Sequence, residues 1–128
     1  MCGIGGQFAY RGRPLSEDLA PLERMSLRMR PRGPDGSGMF VSDDRRIGLV
    51  HRRLAIIDLS EAGVQPMRDP STGLTIVFNG EIYNYRELRA DLAGRGHTFR
   101  SNSDTEVLLK LYAEHGRPDD VRVRRLYP

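Results

Sequence analysis

Residues 38–51 read Gly38-Met39-Phe40-Val41-Ser42-Asp43-Asp44-Arg45-Arg46-Ile47-Gly48-Leu49-Val50-His51. Two short, mostly apolar runs flank four consecutive charged residues. Residues 38–42 and 47–51 are thereby predicted as the strands of a hairpin, with residues 43–46 as its turn. A hairpin argues against a doubly wound fold, whose strands run parallel through crossover helices. Towards the N-terminus, residues 2–10 read as a strand carrying Ile4, Phe8 and Tyr10, and residues 11–14 as a loop. Ser16 is the expected N-cap of a helix with Glu17 and Asp18 in its first turn, where the helix dipole favours acids. Leu15, Leu19, Leu22, Met25, Ser26 and Met29 fall on one helical stripe, and Pro31 ends it. Towards the C-terminus, residues 54–59 continue in extended form and residues 60–72 form a long loop. Residues 74–78, Leu-Thr-Ile-Val-Phe, read as the most clearly buried strand. Residues 83–94 read as a helix and residues 97–100 as a short strand. Ser103-Asp104-Thr105-Glu106 reads as a capping box, with Ser103 bonding the third amide and Glu106 reaching back. It opens a helix bearing Val107, Leu108, Leu111 and Tyr112, which Gly116 stops. The order β-α-β-β-β-α-β-α predicts an α+β fold with antiparallel sheets.

A chain of 128 residues suits one domain with a real core. Apolar content of 38% and a mean hydropathy of −0.51 are soluble-protein values. No run approaches the roughly 18 apolar residues of a membrane span, and no membrane partner is expected. Arg11, Arg13, Glu17 and Asp18 interrupt any apolar leader. A single cysteine forms no internal disulfide, so a reducing, cytoplasmic setting is expected. Net charge is +3, and Lys110 is the one lysine among 20 basic residues. The arginines are scattered among acids, save Arg122, Arg124 and Arg125. No basic stripe with interleaved aromatics appears, so no nucleic-acid partner is expected. His51, His97 and His115 show no metal-ligand spacing, and no metal is expected.

Four features carry chemistry. Met1-Cys2-Gly3-Ile4-Gly5-Gly6 places the only cysteine next to the start. Once Met1 is trimmed, Cys2 holds both a thiol nucleophile and a free α-amine that titrates near neutrality and serves as base. The plain alternative is a small residue after an initiator. Asn79-Gly80 follows the apolar run 74–78, where a side-chain amide beside a glycine N–H suits a developing oxyanion. The alternative is a type I′ turn, but Glu81-Ile82-Tyr83-Asn84-Tyr85 leads into a helix with no returning strand. Arg52 and Arg53 both offer a guanidinium that can grip a carboxylate. They point to opposite faces of a strand, so at most one serves a given site. Asp104, alone or together with Glu81, suits a ligand ammonium, while helix capping explains it equally.

Together, Met1-Cys2-Gly3-Ile4, Arg32-Gly33-Pro34-Asp35-Gly36, residues 51–58 (His-Arg-Arg-Leu-Ala-Ile-Ile-Asp), Gln65-Pro66, residues 79–84 (Asn-Gly-Glu-Ile-Tyr-Asn) and Ser103-Asp104 resemble the N-terminal glutaminase domain of the class II glutamine amidotransferases. The likeness is strongest to glutamine-hydrolysing asparagine synthetases. The aminosugar-forming branch carries a tryptophan motif where this chain reads Arg53-Leu54-Ala55. The resemblance implies a four-layer αββα sandwich of two antiparallel sheets, the N-terminal-nucleophile hydrolase fold, here incomplete. It implies that Cys2 attacks the amide carbon of L-glutamine, with Asn79 and Gly80 on the oxyanion. It further implies Arg53 on the α-carboxylate, the Ile57 backbone facing the pocket, and Glu81 with Asp104 on the α-ammonium. Arg32 is implied as structural support. No cofactor is implied for this chain; ATP and magnesium belong to the absent synthetase domain, whose presence as a domain or subunit partner is implied. The resemblance is expected to cover residues 1–116, with residues 117–128 a non-matching tail and a truncated end. Exposed edges would then favour self-association. The alternative function is a catalytically silent remnant that binds glutamine or a partner synthetase.

Overall fold

The computed structural model describes residues 1–55 and 60–116. The chain divides into two compact units, one built mainly from residues 1–55 with 64–66 and 77–79, the other from 67–76 and the stretch after Asn79.

The first unit is a three-stranded antiparallel sheet with one helix on its face. Its strands are β1 (Gly3–Phe8), β2 (Gly36–Val41) and β3 (Ile47–Arg53), ordered β1-β3-β2. The expected hairpin is β2–β3, in register from Gly36 opposite Arg53 to Val41 opposite Gly48. Its turn closes on Ser42. The Ser42 hydroxyl accepts the Arg46 and Ile47 N–H groups and donates to Asp44 Oδ1 at 2.6 Å. Arg45 takes the left-handed conformation that such a tight turn demands, with φ 53°. β1 lies along the other edge of β3, with Gly3 opposite Arg52 and Phe8 opposite Ile47.

Helix α1 (Ala20–Arg28) begins three residues later than the Ser16 cap predicts. Ser16 accepts the Asp18 N–H and Asp18 accepts the Ala20 N–H, so the two side chains spend their capping capacity in a lead-in turn. Pro21, within the first two helical positions, lacks only an N–H that no helical carbonyl would have taken. The apolar stripe faces the sheet as expected. Leu22 lies under Gly48, and Met25 and Met29 lie over Gly5.

The second unit is held by α2 (Tyr85–Gly94) and α3 (Asp104–His115), with β4 (Met67–Arg68) paired antiparallel to β5 (Thr75–Ile76). Leu92, Val107 and Leu111 are its buried centre, flanked by Tyr85, Leu88 and Phe99. Two expectations fail here. The run 74–78 supplies only the two-residue β5, and its residues are half-buried rather than buried. Residues 97–100 form no strand, because the amides around them bond a side chain instead. The buried Glu106 carboxylate accepts the Arg100 and Ser101 N–H groups and the Ser101 hydroxyl. Glu106 thus reaches further back than a capping box requires, and Ser103 caps the Thr105 amide, the second of the helix rather than the third. A partly buried ion pair, Lys110 Nζ to Asp69 Oδ2 at 3.0 Å, ties α3 to the turn after β4. Burial pushes the Asp69 pKa up, but the hydrogen bonds from Lys110 and Ser71 outweigh it and hold the carboxyl down at about 2.

The α+β class with antiparallel sheets is therefore observed. No helix among the described residues is long and apolar enough to cross a membrane. The expected strand over 54–59 falls largely, and the Ile57 and tail assignments wholly, outside the described residues.

Candidate active site

The register of β1 decides where its first side chain lies. Gly3 pairs with Arg52, so Cys2 stands level with Arg53 at the end of β3. The Leu54 N–H donates to Cys2 Sγ at 3.3 Å, and the thiol lies 3.6 Å from the Leu54 carbonyl. The Arg32-Gly33-Pro34-Asp35-Gly36 loop brackets this same corner. Arg32 Nε donates to the Cys2 carbonyl at 3.4 Å. The Asp35 N–H donates to the Arg53 carbonyl at 3.0 Å, and the Ala55 N–H donates to Asp35 Oδ2 at 2.9 Å. A main chain fixed this closely leaves the half-buried sulfur little freedom to wander.

Strand alternation sorts the two arginines. Arg52 Nε donates to both the carbonyl and the hydroxyl of Ser26 on α1, at 3.0 Å each. It is committed to the helix side of the sheet. Arg53 therefore projects from the opposite face, the face of Cys2, Ile4 and His51.

Residues 77–79 belong to this same unit. A type I′ turn at Asn79-Gly80 would need a positive φ at Asn79, and Arg45 is the one non-glycine residue with a positive φ among those described. The turn alternative is thus excluded, and the chain runs on to α2. Asn79 is half-buried. Just before it, the Phe78 N–H donates to Gln65 Oε1 at 2.6 Å.

In the second unit Asp104 opens α3 while only 5% exposed. Its Oδ2 accepts the Ile82 N–H at 3.0 Å, which draws the segment carrying Glu81 to the helix start. Burial raises the Asp104 pKa; the Ile82 and Thr105 N–H groups pull it back, and the negative charge of Glu81 raises it further. Two carboxylates in such surroundings favour a cation close by. Gly80 is exposed and Glu81 half-buried. Among the described residues no group of three His, Cys, Asp or Glu side chains is placed to hold a metal ion.

A family model described as a glutamine amidotransferase domain matches residues 1–125. The chain belongs to the glutamine amidotransferase domain family. Among similar proteins, asparagine synthetase [glutamine-hydrolyzing] 1 of Bacillus subtilis is 39% identical over 99% of this chain and 20% of its own length. Asparagine synthetase B [glutamine-hydrolyzing] of Escherichia coli is 41% identical over 91% of this chain and 20% of its own. Amidase chry2 of Gibberella zeae is 39% identical over 91% and 18%. This amidotransferase domain thus spans about a fifth of the length of the curated relatives it matches.

Of the residues singled out in the sequence, Cys2, Arg53 and Asn79 fall in the first unit, and Gly80, Glu81 and Asp104 in the second. The Leu54 amide on the sulfur and the Gln65 side chain on Phe78 escape a reading of residue types. The first is a main-chain group, and the second acts across 13 positions through a loop. His51 also gains a defined state. It is 1% exposed and neither ring nitrogen has a hydrogen-bond partner. Burial, then the positive charge of Arg53, brings its pKa down to about 4; the nearby Phe78 main chain opposes this weakly without forming a full bond. The unfolded chain takes up this proton below about pH 6.5 and the fold does not, so stability falls as pH drops from about 6.5 towards 4. Urea denaturation at pH 7 and pH 4.5 should show a loss of about 2 kcal/mol from this group. His51→Gln should flatten that difference, and an unchanged pH dependence in the variant would overturn the assignment.

Proposed function

We propose that this amidotransferase domain hydrolyses L-glutamine to glutamate and ammonia with Cys2 as nucleophile. In this reading Met1 is removed and the freed α-amine of Cys2 takes the thiol proton. The sulfur attacks the side-chain amide carbon, and the C–N bond breaks as the α-amine returns the proton to the departing ammonia. Water then cleaves the thioester and releases glutamate. Asn79 and the Gly80 N–H receive the oxyanion, Arg53 the α-carboxylate, and Glu81 and Asp104 the α-ammonium.

The observation that carries this reading is the seating of Cys2. Its sulfur sits on the Leu54 amide, on the same sheet face as Arg53, while Arg52 is tied to Ser26 and unable to compete. A four-layer αββα sandwich is the architecture we propose for the domain. The relatives' names point to a synthetase domain as the partner that consumes the ammonia. ATP and magnesium would serve that domain, and no cofactor serves this one. A cytoplasmic setting goes with that pairing.

Ammonia and glutamate release from glutamine, with mass spectrometry of the N-terminus, tests the proposal. A chain that keeps Met1 and releases no ammonia overturns it. Asp104→Asn tests the ammonium site separately. Asparagine still accepts the Ile82 N–H but carries no charge, so KM for glutamine should rise about tenfold or more while kcat changes far less. The melting temperature should not fall, since the carboxylate sits where burial disfavours its charge. An unaltered KM would remove Asp104 from the substrate site.

A further inference from the structure

Gln65-Pro66 is a motif that the reaction above does not use, yet Gln65 is only 7% exposed. The structure places it between β2 and the segment that carries Asn79. On one side its carbonyl rests on Gly38, where a Cβ would stand 2.0 Å from the oxygen and 2.9 Å from Pro66 Cδ. No other residue lets the loop come this close to the sheet. On the other side its side-chain Oε1 takes the Phe78 N–H at 2.6 Å. The Phe78 main chain is near the buried His51 ring, and Phe78 is followed directly by Asn79. No β-ladder partner fixes residues 77–79. The Gln65 side chain supplies, from a loop, the acceptor that a neighbouring strand would otherwise provide.

We propose that Gln65 is a positioning residue for Asn79: it locks the Phe78 amide to β2 and so aims the Asn79 side chain at the oxyanion. This rests on the reading that Asn79 stabilises the oxyanion. A donor displaced by a fraction of an ångström binds the ground state almost as well but loses much of its worth in the transition state. The signature is therefore in kcat rather than KM.

The experiment compares the full chain with Gln65→Met, which keeps the volume and removes the acceptor, and Gln65→Glu, which keeps an acceptor oxygen at the same reach. Two readouts are taken: hydrogen exchange at the Phe78 amide, and glutamine hydrolysis. Gln65→Met should speed Phe78 exchange about tenfold or more. It should lower kcat about tenfold or more, with KM within about threefold of wild type. Gln65→Glu should recover most of both. Unchanged Phe78 exchange in Gln65→Met overturns the inference whatever the activity shows. Faster exchange with an unchanged kcat also overturns it, while leaving glutamine hydrolysis by Cys2 intact. A wild-type chain that hydrolyses no glutamine fails the underlying reaction instead, and Phe78 exchange then decides alone whether Gln65 holds this segment.

Discussion

Replacing Cys2 with alanine is expected to abolish glutamine hydrolysis, by at least about a thousandfold in kcat. No other thiol exists in the chain to substitute for it. The ring of His51 is buried and that of His97 is paired to Glu114, so neither replaces it. The loss should be chemical rather than structural. Cys2 is only half-buried, and its sulfur contributes long contacts to Leu54 at 3.3 and 3.6 Å. The variant's melting temperature should therefore stay close to wild type. Cys2→Ser should keep a trace of activity, because the hydroxyl retains the geometry while lacking the thiol's nucleophilicity. Ammonia release measured on both variants, with glutamine binding followed by calorimetry, separates chemistry from recognition. Binding should survive in Cys2→Ala. Activity that survives with it would sink the mechanism.

The parts of this fold that local patterning controls were legible. The β2–β3 hairpin follows from two apolar runs about a charged turn, and Ser42 and Arg45 close it much as such residues do elsewhere. The α1 stripe and the C-terminal helix follow from period 3.6. Patterning failed where side chains replaced main-chain partners. Residues 74–78 have strand composition, but the Phe78 amide bonds Gln65 and only Thr75–Ile76 pairs in a ladder. Residues 97–100 lose their strand in the same way to the Glu106 carboxylate. The chemistry of the site was legible as residue types, and its selection was not. Alternation says that Arg52 and Arg53 diverge, but only the position of Ser26 says which of them the helix claims.

Gly33→Ala is expected to be among the most damaging single-methyl changes in the first unit. The cause is not backbone conformation: φ at Gly33 is −146°, open to any residue. The cause is what a Cβ would meet. It would stand 2.4 Å from the Arg52 carbonyl carbon, 2.5 Å from its oxygen and 2.7 Å from the Arg53 nitrogen. All three atoms are main chain in β3, the central strand, hydrogen-bonded to β1 and β2. Unlike the flexible Leu22 tip that faces Gly48, they have no rotamer to yield. The Arg32–Gly36 loop must move out by about 1 Å, and overpacking against an unyielding wall costs about 3 kcal/mol. For a chain of this size that lowers Tm by roughly 10 °C. The same shift pulls on the Arg32 contact to the Cys2 carbonyl and the Asp35 contacts to Arg53 and Ala55. Where the variant is still folded, kcat/KM for glutamine should therefore fall about a hundredfold, since a displacement of this size at a nucleophile is worth that much. Gly94→Ala is the matched control, because a Cβ there meets nothing within 4 Å. It should leave both quantities near wild type. Equal melting of the two variants would show that the loop's approach to β3 is not the tight seat described, and the anchoring of Cys2 through that loop would fall with it.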